Sequence, residues 1–210
     1  MKERPILFSG PMVKAILEGK KTQTRRVIKP QPSGPEIFPP NQFCDQWYFR
    51  DAYYACPEND IGKYVTCPYG KPGDRLWVRE TFGYHDSHDD VVFFKTDTIG
   101  HLPNPFVATW KPSIHMPRKF SRITLEICSI RVERLQVISE ADARAEGMSV
   151  LPLQDASDPS AWWQSEPGKH QARSPKQSFR LLWNTINAER GYGWDTNPFV
   201  WVIEFRRMER

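Results

Sequence analysis

The densest concentration of chemically useful side chains lies between Lys14 and Lys29. There Lys14, Lys20, Lys21, Arg25, Arg26 and Lys29 are accompanied by a single acid, Glu18. The whole chain of 210 residues carries a net charge of only +4, so this cluster stands out against a near-neutral remainder. A local excess of cations of this kind points to an anionic ligand more than to a generally adhesive surface. Taken alone, a charge run also reads as a solvated helix end followed by an exposed strand. Residues 22–28 carry β-branched side chains and are expected as a strand. In that strand Thr22, Thr24 and Arg26 point one way, while Gln23 and Arg25 point the other.

Metal and disulfide chemistry find less support. The four cysteines, Cys44, Cys56, Cys67 and Cys128, are widely spaced and form no C-x-x-C pair. They are expected as free thiols. His85 and His88 lie in a polar, acidic stretch and are read as loop residues rather than ligands. No metal or cofactor is expected.

The elements that must position the basic cluster are short. Residues 5–8 form a strand candidate, and Ser9-Gly10-Pro11 opens a helix with proline in its first turn. Met12, Val13, Ile16 and Leu17 give that helix one apolar face, and Gly19 stops it. From Pro30 to about Gly73 the chain lacks periodicity and is read as a long insertion with a small hairpin around residues 64–66. A turn at 71–74 precedes a strand at 75–82, and a further strand is expected at 91–95. The longest β signal runs from Ser121 to Ile138, where Ile123, Leu125 and Ile127 alternate inward and the pattern resumes at Val132 and Leu135 after a bend. Ser139 and Asp142 read as a capping box with Asp in place of Glu, opening a short helix that ends at Gly147. Ser174-Pro175 starts a stronger helix, with Phe179, Leu182, Trp183 and Ile186 on one face. A final strand places Phe199, Trp201, Ile203 and Phe205 together. Mixed order with strands dominant favours α+β and a mostly antiparallel, barrel-like sheet.

Four blocks in this order resemble the ASCH family. They are Gly19-Lys-Lys-Thr-Gln-Thr-Arg-Arg26, similar to a G-x-K-x-x-x-x-R signature; Pro72-Gly-Asp74 leading into a strand; residues 123–148; and Val202-Ile-Glu-Phe205. Arg75-Leu-Trp-Val-Arg-Glu80 and Ser113-Ile-His-Met-Pro117 are similar to longer, often prophage-borne members. The resemblance implies a PUA-like fold with a few short helices. It spans one domain, 1–210, carrying insertions at about 30–70, 83–120 and 149–173. Small bacterial 4-acetylcytidine amidohydrolases of this family are proposed to use a Thr–Lys–Glu triad, which the resemblance carries onto Thr24, Lys21 and Glu146. The insertions distinguish this chain from those smaller relatives and bear on which substrate would fit.

Amide hydrolysis needs a nucleophile, a base and a stabiliser for the developing oxyanion. Thr24 would attack, and Lys21 would take its proton if neutral. The like charges Lys20, Arg25 and Arg26 favour the neutral form of Lys21, and a close Glu146 opposes it. Arg26 would meet an oxyanion or a phosphate. Trp77 and Tyr69 are candidates to stack on a base, and His115, Arg118 and Lys119 would extend the positive surface. The expected partner is RNA or a modified nucleoside. The alternatives to hydrolysis of an acylated cytidine are RNA binding through Lys21, Arg25 and Arg26, or an ASCH-type ribonuclease with Lys21 on the scissile phosphate. Residues 1–5 lack the apolar run of a signal peptide, and no run approaches the roughly 18 apolar residues of a membrane helix. The expected location is the cytoplasm, away from membranes.

Overall fold

A computed structural model describes residues 1–34, 36–41, 44, 46–50, 62–85, 88–98, 107, 109–152, 154–158, 160–166 and 168–209. In chain order its elements are β1 (Glu3–Leu7), α1 (Gly10–Leu17), β2 (Gln23–Val27), β3 (Ile37–Phe38), β4 (Trp47–Arg50), β5 (Gly62–Val65), β6 (Arg75–Arg79) and β7 (Phe82–His85). They continue with β8 (His88–Phe94), β9 (Thr124–Arg134), α2 (Glu140–Ala145), β10 (Ser149–Val150), β11 (Trp163–Gln164), α3 (Pro175–Asn187) and β12 (Phe199–Arg207). The arrangement is α+β, mostly sheet with few helices.

Five strands form the main sheet in the order β1-β6-β9-β12-β2. β1 runs parallel to β6, and the other neighbours are antiparallel. The parallel pair is fixed at one end by Asp74, whose carboxylate accepts from the Lys2 backbone N–H at 2.7 Å and from Arg4 at 3.1 Å. β12 is buried on both faces, which its near-continuous apolar sequence anticipates. Phe199, Trp201, Ile203 and Phe205 join a core with β1, α1, β6 and β9, whereas Val200 and Val202 join a second core with α2 and α3.

The bend expected in the 121–138 strand is a bulge. Opposite Glu204 and Phe205 the partner residues jump from Ser129 to Ile127, leaving Cys128 as the extra residue. One extra residue reverses the alternation. The inward set therefore passes from Ile123, Leu125 and Ile127 to Ile130 and Val132, and all five pack on the same core.

The helix boundaries follow local chemistry. Asp142 N–H donates to Ser139 Oγ at 3.0 Å, and Ser139 N–H returns a bond to Asp142 Oδ2 at 3.3 Å, closing the capping box. Ser174 caps α3 by accepting from Gln177 N–H at 3.2 Å. Gly19 and Gly147 end α1 and α2 with φ of 71° and 103°, values that other residues rarely take.

The sheet is not a hydrogen-bonded barrel among the described residues, because its terminal strands β1 and β2 do not pair. They nevertheless border one cavity, and Arg26 Nη2 on β2 donates to Leu7 O on β1 at 2.7 Å. The sheet is thus curled, with a gap between its ends. The first insertion holds more than the expected hairpin. β3, β4 and β5 make a three-stranded antiparallel sheet that sets Trp47 and Phe49 against Trp201. The stretch 149–173, expected as loop, contains the short β10–β11 pair. Cys56 and the side chain of His88 lie outside the described residues. Cys44, Cys67 and Cys128 are free thiols, and burial pushes Cys67 up to about 11. Among the described residues no helix is long and apolar enough to cross a membrane, and no group of three or more His, Cys, Asp or Glu is arranged to hold a metal.

Candidate functional site

Backbone bonds bring the two distant parts of the site together. After α1, Lys20 and Lys21 N–H both donate to Ala15 O, at 2.8 and 3.1 Å, and Thr22 N–H donates to Ala145 O at 2.9 Å. That last bond joins the start of β2 to the end of α2. Lys21 and Glu146, 125 positions apart, become neighbours. The Lys21 ammonium donates to Glu146 O at 2.7 Å and to Glu146 Oε2 at 2.9 Å. Both residues are deeply buried, at 2% and 4% exposure.

Glu146 is shared with a second cation. Arg25 Nη1 donates to Glu146 Oε1 at 3.3 Å, while its Nη2 reaches Glu133 and Asp142, each at 3.2 Å. Arg131 extends the network to Asp142 at 2.9 Å, to Gln23 Oε1 at 3.2 Å and to Glu204. Charges taken out of water are tolerated only when their donors and acceptors are met. Here three cations face four carboxylates. Two buried donors, Arg25 Nε and Gln23 Nε2, have no acceptor among the described residues.

The strand alternation sorts these groups. Pairing with β12 puts Thr24 opposite Ile203 and Arg26 opposite Trp201, while Gln23 and Arg25 stand opposite Glu204 and Val202. Thr24 and Arg26 therefore take one face of β2, and Gln23 and Arg25 take the other. Because β2 is an edge strand, residues from both faces reach the cavity beside it. That cavity has a volume of about 580 Å³ and is bordered by Thr24, Arg25, Arg26 and Glu146, with Tyr69 and Trp183 among its aromatic walls. This volume is in the range of small-molecule sites.

Burial depresses the Lys21 pKa, with Arg26 and Arg25 adding to the effect and the Glu146 carboxylate opposing it. Burial raises the Tyr69 phenol, and Arg26 works against that shift. Arg26 also lies 5.1 Å from the centre of the Phe8 ring. Lys29 and Arg190 are exposed cations on the cavity border with no carboxylate partner among the described residues.

Of the residues singled out by sequence, Lys21, Thr24, Arg25, Arg26 and Glu146 come together here, although Lys21 lies behind Glu146 rather than on the cavity wall. Among the described residues the Lys21 ammonium bonds only to Glu146, and Thr24 is not among its partners. The remaining candidates lie elsewhere. Lys20 is exposed and paired with Glu18. Trp77 is buried on β6, between Arg79 at 4.7 Å and Arg118 at 6.0 Å, and does not border the cavity. Arg118 is tied to Glu3 at 2.9 Å, and His115 is exposed in a 3-10 turn. Arg131, Glu133, Asp142 and Glu204 were not anticipated as a network. The alternation of Arg131 and Glu133 along β9 was the available signal, but nothing local marks a charged residue as facing another strand, or Asp142 on α2 as facing β2 and β9. No protein-family model, curated protein or solved structure matches the chain.

Proposed function

We propose that the protein is a PUA-like, ASCH-type amidohydrolase that removes a small acyl group from the base of a modified nucleoside of the cytidine type. One observation carries this reading. A buried Lys21–Glu146 pair stands directly behind a nucleoside-sized cavity, and Thr24 opens onto the same cavity.

Thr24 Oγ attacks the acyl carbonyl carbon, and the neutral Lys21 amine takes the hydroxyl proton. Burial favours that neutral form by disfavouring the ammonium, against the pull of the Glu146 carboxylate. Arg26 meets the oxyanion, the C–N bond breaks, and the leaving amine of the base takes the proton back from Lys21. Water then hydrolyses the threonyl ester. Glu146 holds the Lys21 nitrogen in place through both of its acceptors. Thr24 is not among the described hydrogen-bond partners of the Lys21 ammonium, so substrate binding must draw the two into reach, as catalytic hydrogen bonds often tighten only in the bound complex.

Hydrolysis of 4-acetylcytidine, followed by chromatographic separation of cytidine, tests this reading. Cytidine is expected from the wild type and not from Lys21→Ala, and Thr24→Ala should lose rate while still binding. A second reading, RNA binding without turnover, is favoured by the exposed Lys29 and Arg190 on the cavity border, which have no carboxylate partner among the described residues. It predicts no cytidine from any variant and an oligonucleotide affinity that falls steeply with salt.

A further inference from the structure

On the far side of Glu146 from the larger cavity's proposed chemistry, one hydroxyl already has a basic partner, and its small pocket shares Glu146 as a border. Ser165 follows β11 and sits at the base of a tight turn in which Glu166 and Lys169 form a bridge and Gly168 takes a φ of 78°. His170 closes the turn with a φ of 54°, a left-handed conformation that is costly for a residue with a side chain. Its ring is held at both nitrogens. Nδ1 lies 2.6 Å from Ser165 Oγ, and Nε2 lies 2.9 Å from Thr185 Oγ1 on α3.

The direction of each bond follows from Thr185. Its hydroxyl donates to Leu181 O at 3.0 Å, and a carbonyl oxygen can only accept. The single hydroxyl proton is therefore used there, so toward His170 Thr185 is an acceptor. Nε2 carries the ring proton, and Nδ1 turns its lone pair to the Ser165 hydroxyl. Burial moves His170 below its ordinary pKa, with Glu166 opposing and Lys169 assisting, which favours this neutral ring.

Ser165 also borders a pocket of about 20 Å³, shared with Ser9, Pro11 and Met12 at the start of α1. Glu146 and Glu166 also border this pocket, and the start of α1 beside it has no side-chain cap and no acid in its first turn. The volume holds little more than a water molecule. It limits a reacting group to a small acyl such as acetyl.

We propose that Ser165 is a nucleophile with His170 as its general base and Thr185 as the positioning residue, forming a second site that accepts small acyl groups from esters. Ser165 Oγ bonds to the acyl carbon as its proton passes to His170 Nδ1. The intermediate collapses with cleavage of the ester C–O bond, and the leaving alcohol takes that proton. Water, activated by the same nitrogen, then releases the acid and restores Ser165. This site does not depend on the reading given to Thr24 and Lys21.

The test uses p-nitrophenyl acetate with the full chain, following p-nitrophenolate release and mapping the acetyl group by peptide mass. Acetyl on Ser165 is expected, with a rate that rises as the His170 ring loses its proton. His170→Gln should slow acetylation about a hundredfold, the usual scale of a general base. Thr185→Val should slow it and move the inflection of the pH profile, while Thr185→Ser restores both. Thermal melts of each variant separate these effects from unfolding. Folded wild type without acetyl-Ser165, or a folded His170→Gln that acetylates Ser165 at the wild-type rate, would overturn the proposal.

Discussion

Two buried carboxylates, Glu80 and Glu146, are held in opposite ways. Glu80, at 1% exposure, receives one guanidinium: Arg122 Nε and Nη2 grip it at 3.0 and 2.9 Å. The same Arg122 reaches Asp97 at 2.9 and 2.8 Å and lies 4.0 Å from the Phe94 ring centre. A forked pair of this kind spends both carboxylate oxygens on one partner. Glu146 instead divides its oxygens between Lys21 and Arg25 and borders a cavity. Glu80 is therefore a staple between β6 and the stretch before β9. Glu146 is a junction between Lys21, just before β2, and Arg25 in its middle, and it opposes the burial that disfavours the Lys21 charge. Depth of burial is the same, and the number and kind of partners decide what each carboxylate can do.

The sharpest way to break this comparison is to remove one partner of the junction. Lys21→Met leaves Glu146 with Arg25 alone and should cost about 3 kcal/mol in urea unfolding, the scale of a buried pair broken on one side. The double variant Lys21→Met/Glu146→Gln should regain part of that loss. A larger deficit in the double variant would mean that the pair does not act as a unit. Glu80→Gln is expected to cost about 2 kcal/mol, the scale of charged hydrogen bonds. On the proposed amidohydrolase reading, its cytidine release per folded molecule should stay at the wild-type level, and a fall would remove the distinction between staple and junction.

The depressed Lys21 pKa gives a smaller, signed effect. Between that lowered value and the ordinary 10.5, the unfolded chain binds more protons at this residue than the folded one. Stability should therefore rise with pH through this window, by at most about 1.4 kcal/mol per pH unit. Lys21→Met should flatten that slope when urea midpoints are compared across the alkaline range, while a slope common to both proteins would assign it to other groups. The smallest effect is expected at the exposed Arg118–Glu3 pair, where Arg118→Ala should change stability by less than about 0.5 kcal/mol.

Much of the frame was legible because its signals are local. The Ser139–Asp142 box, the glycine stops and the shared face of Phe199, Trp201, Ile203 and Phe205 each depend on residues a few positions apart. The change of phase after Ile127 was visible as a bend, and only pairing with β12 identifies Cys128 as the extra residue. β3 and β4 escaped notice because two and four residues are too few to establish a period, and their order comes from packing Trp47 and Phe49 on Trp201. The site divides in the same way. The β2 alternation and the cationic cluster could be read directly, whereas Ser165, His170 and Thr185 carry no common spacing and meet only through a turn docked on α3.

The two ends of the main sheet have a consequence of their own. Among the described residues β1 and β2 have no strand partner on their outer edges, and both border the cavity, spanned in part by the Arg26–Leu7 bond. Such edges normally seek partners. A planar ligand with its own donors and acceptors would be gripped from both margins at once, drawing the two ends of the sheet toward each other. Occupancy would then be written into the main chain itself, and amide exchange at residues 6–7 and 24–27 would slow together when a ligand binds.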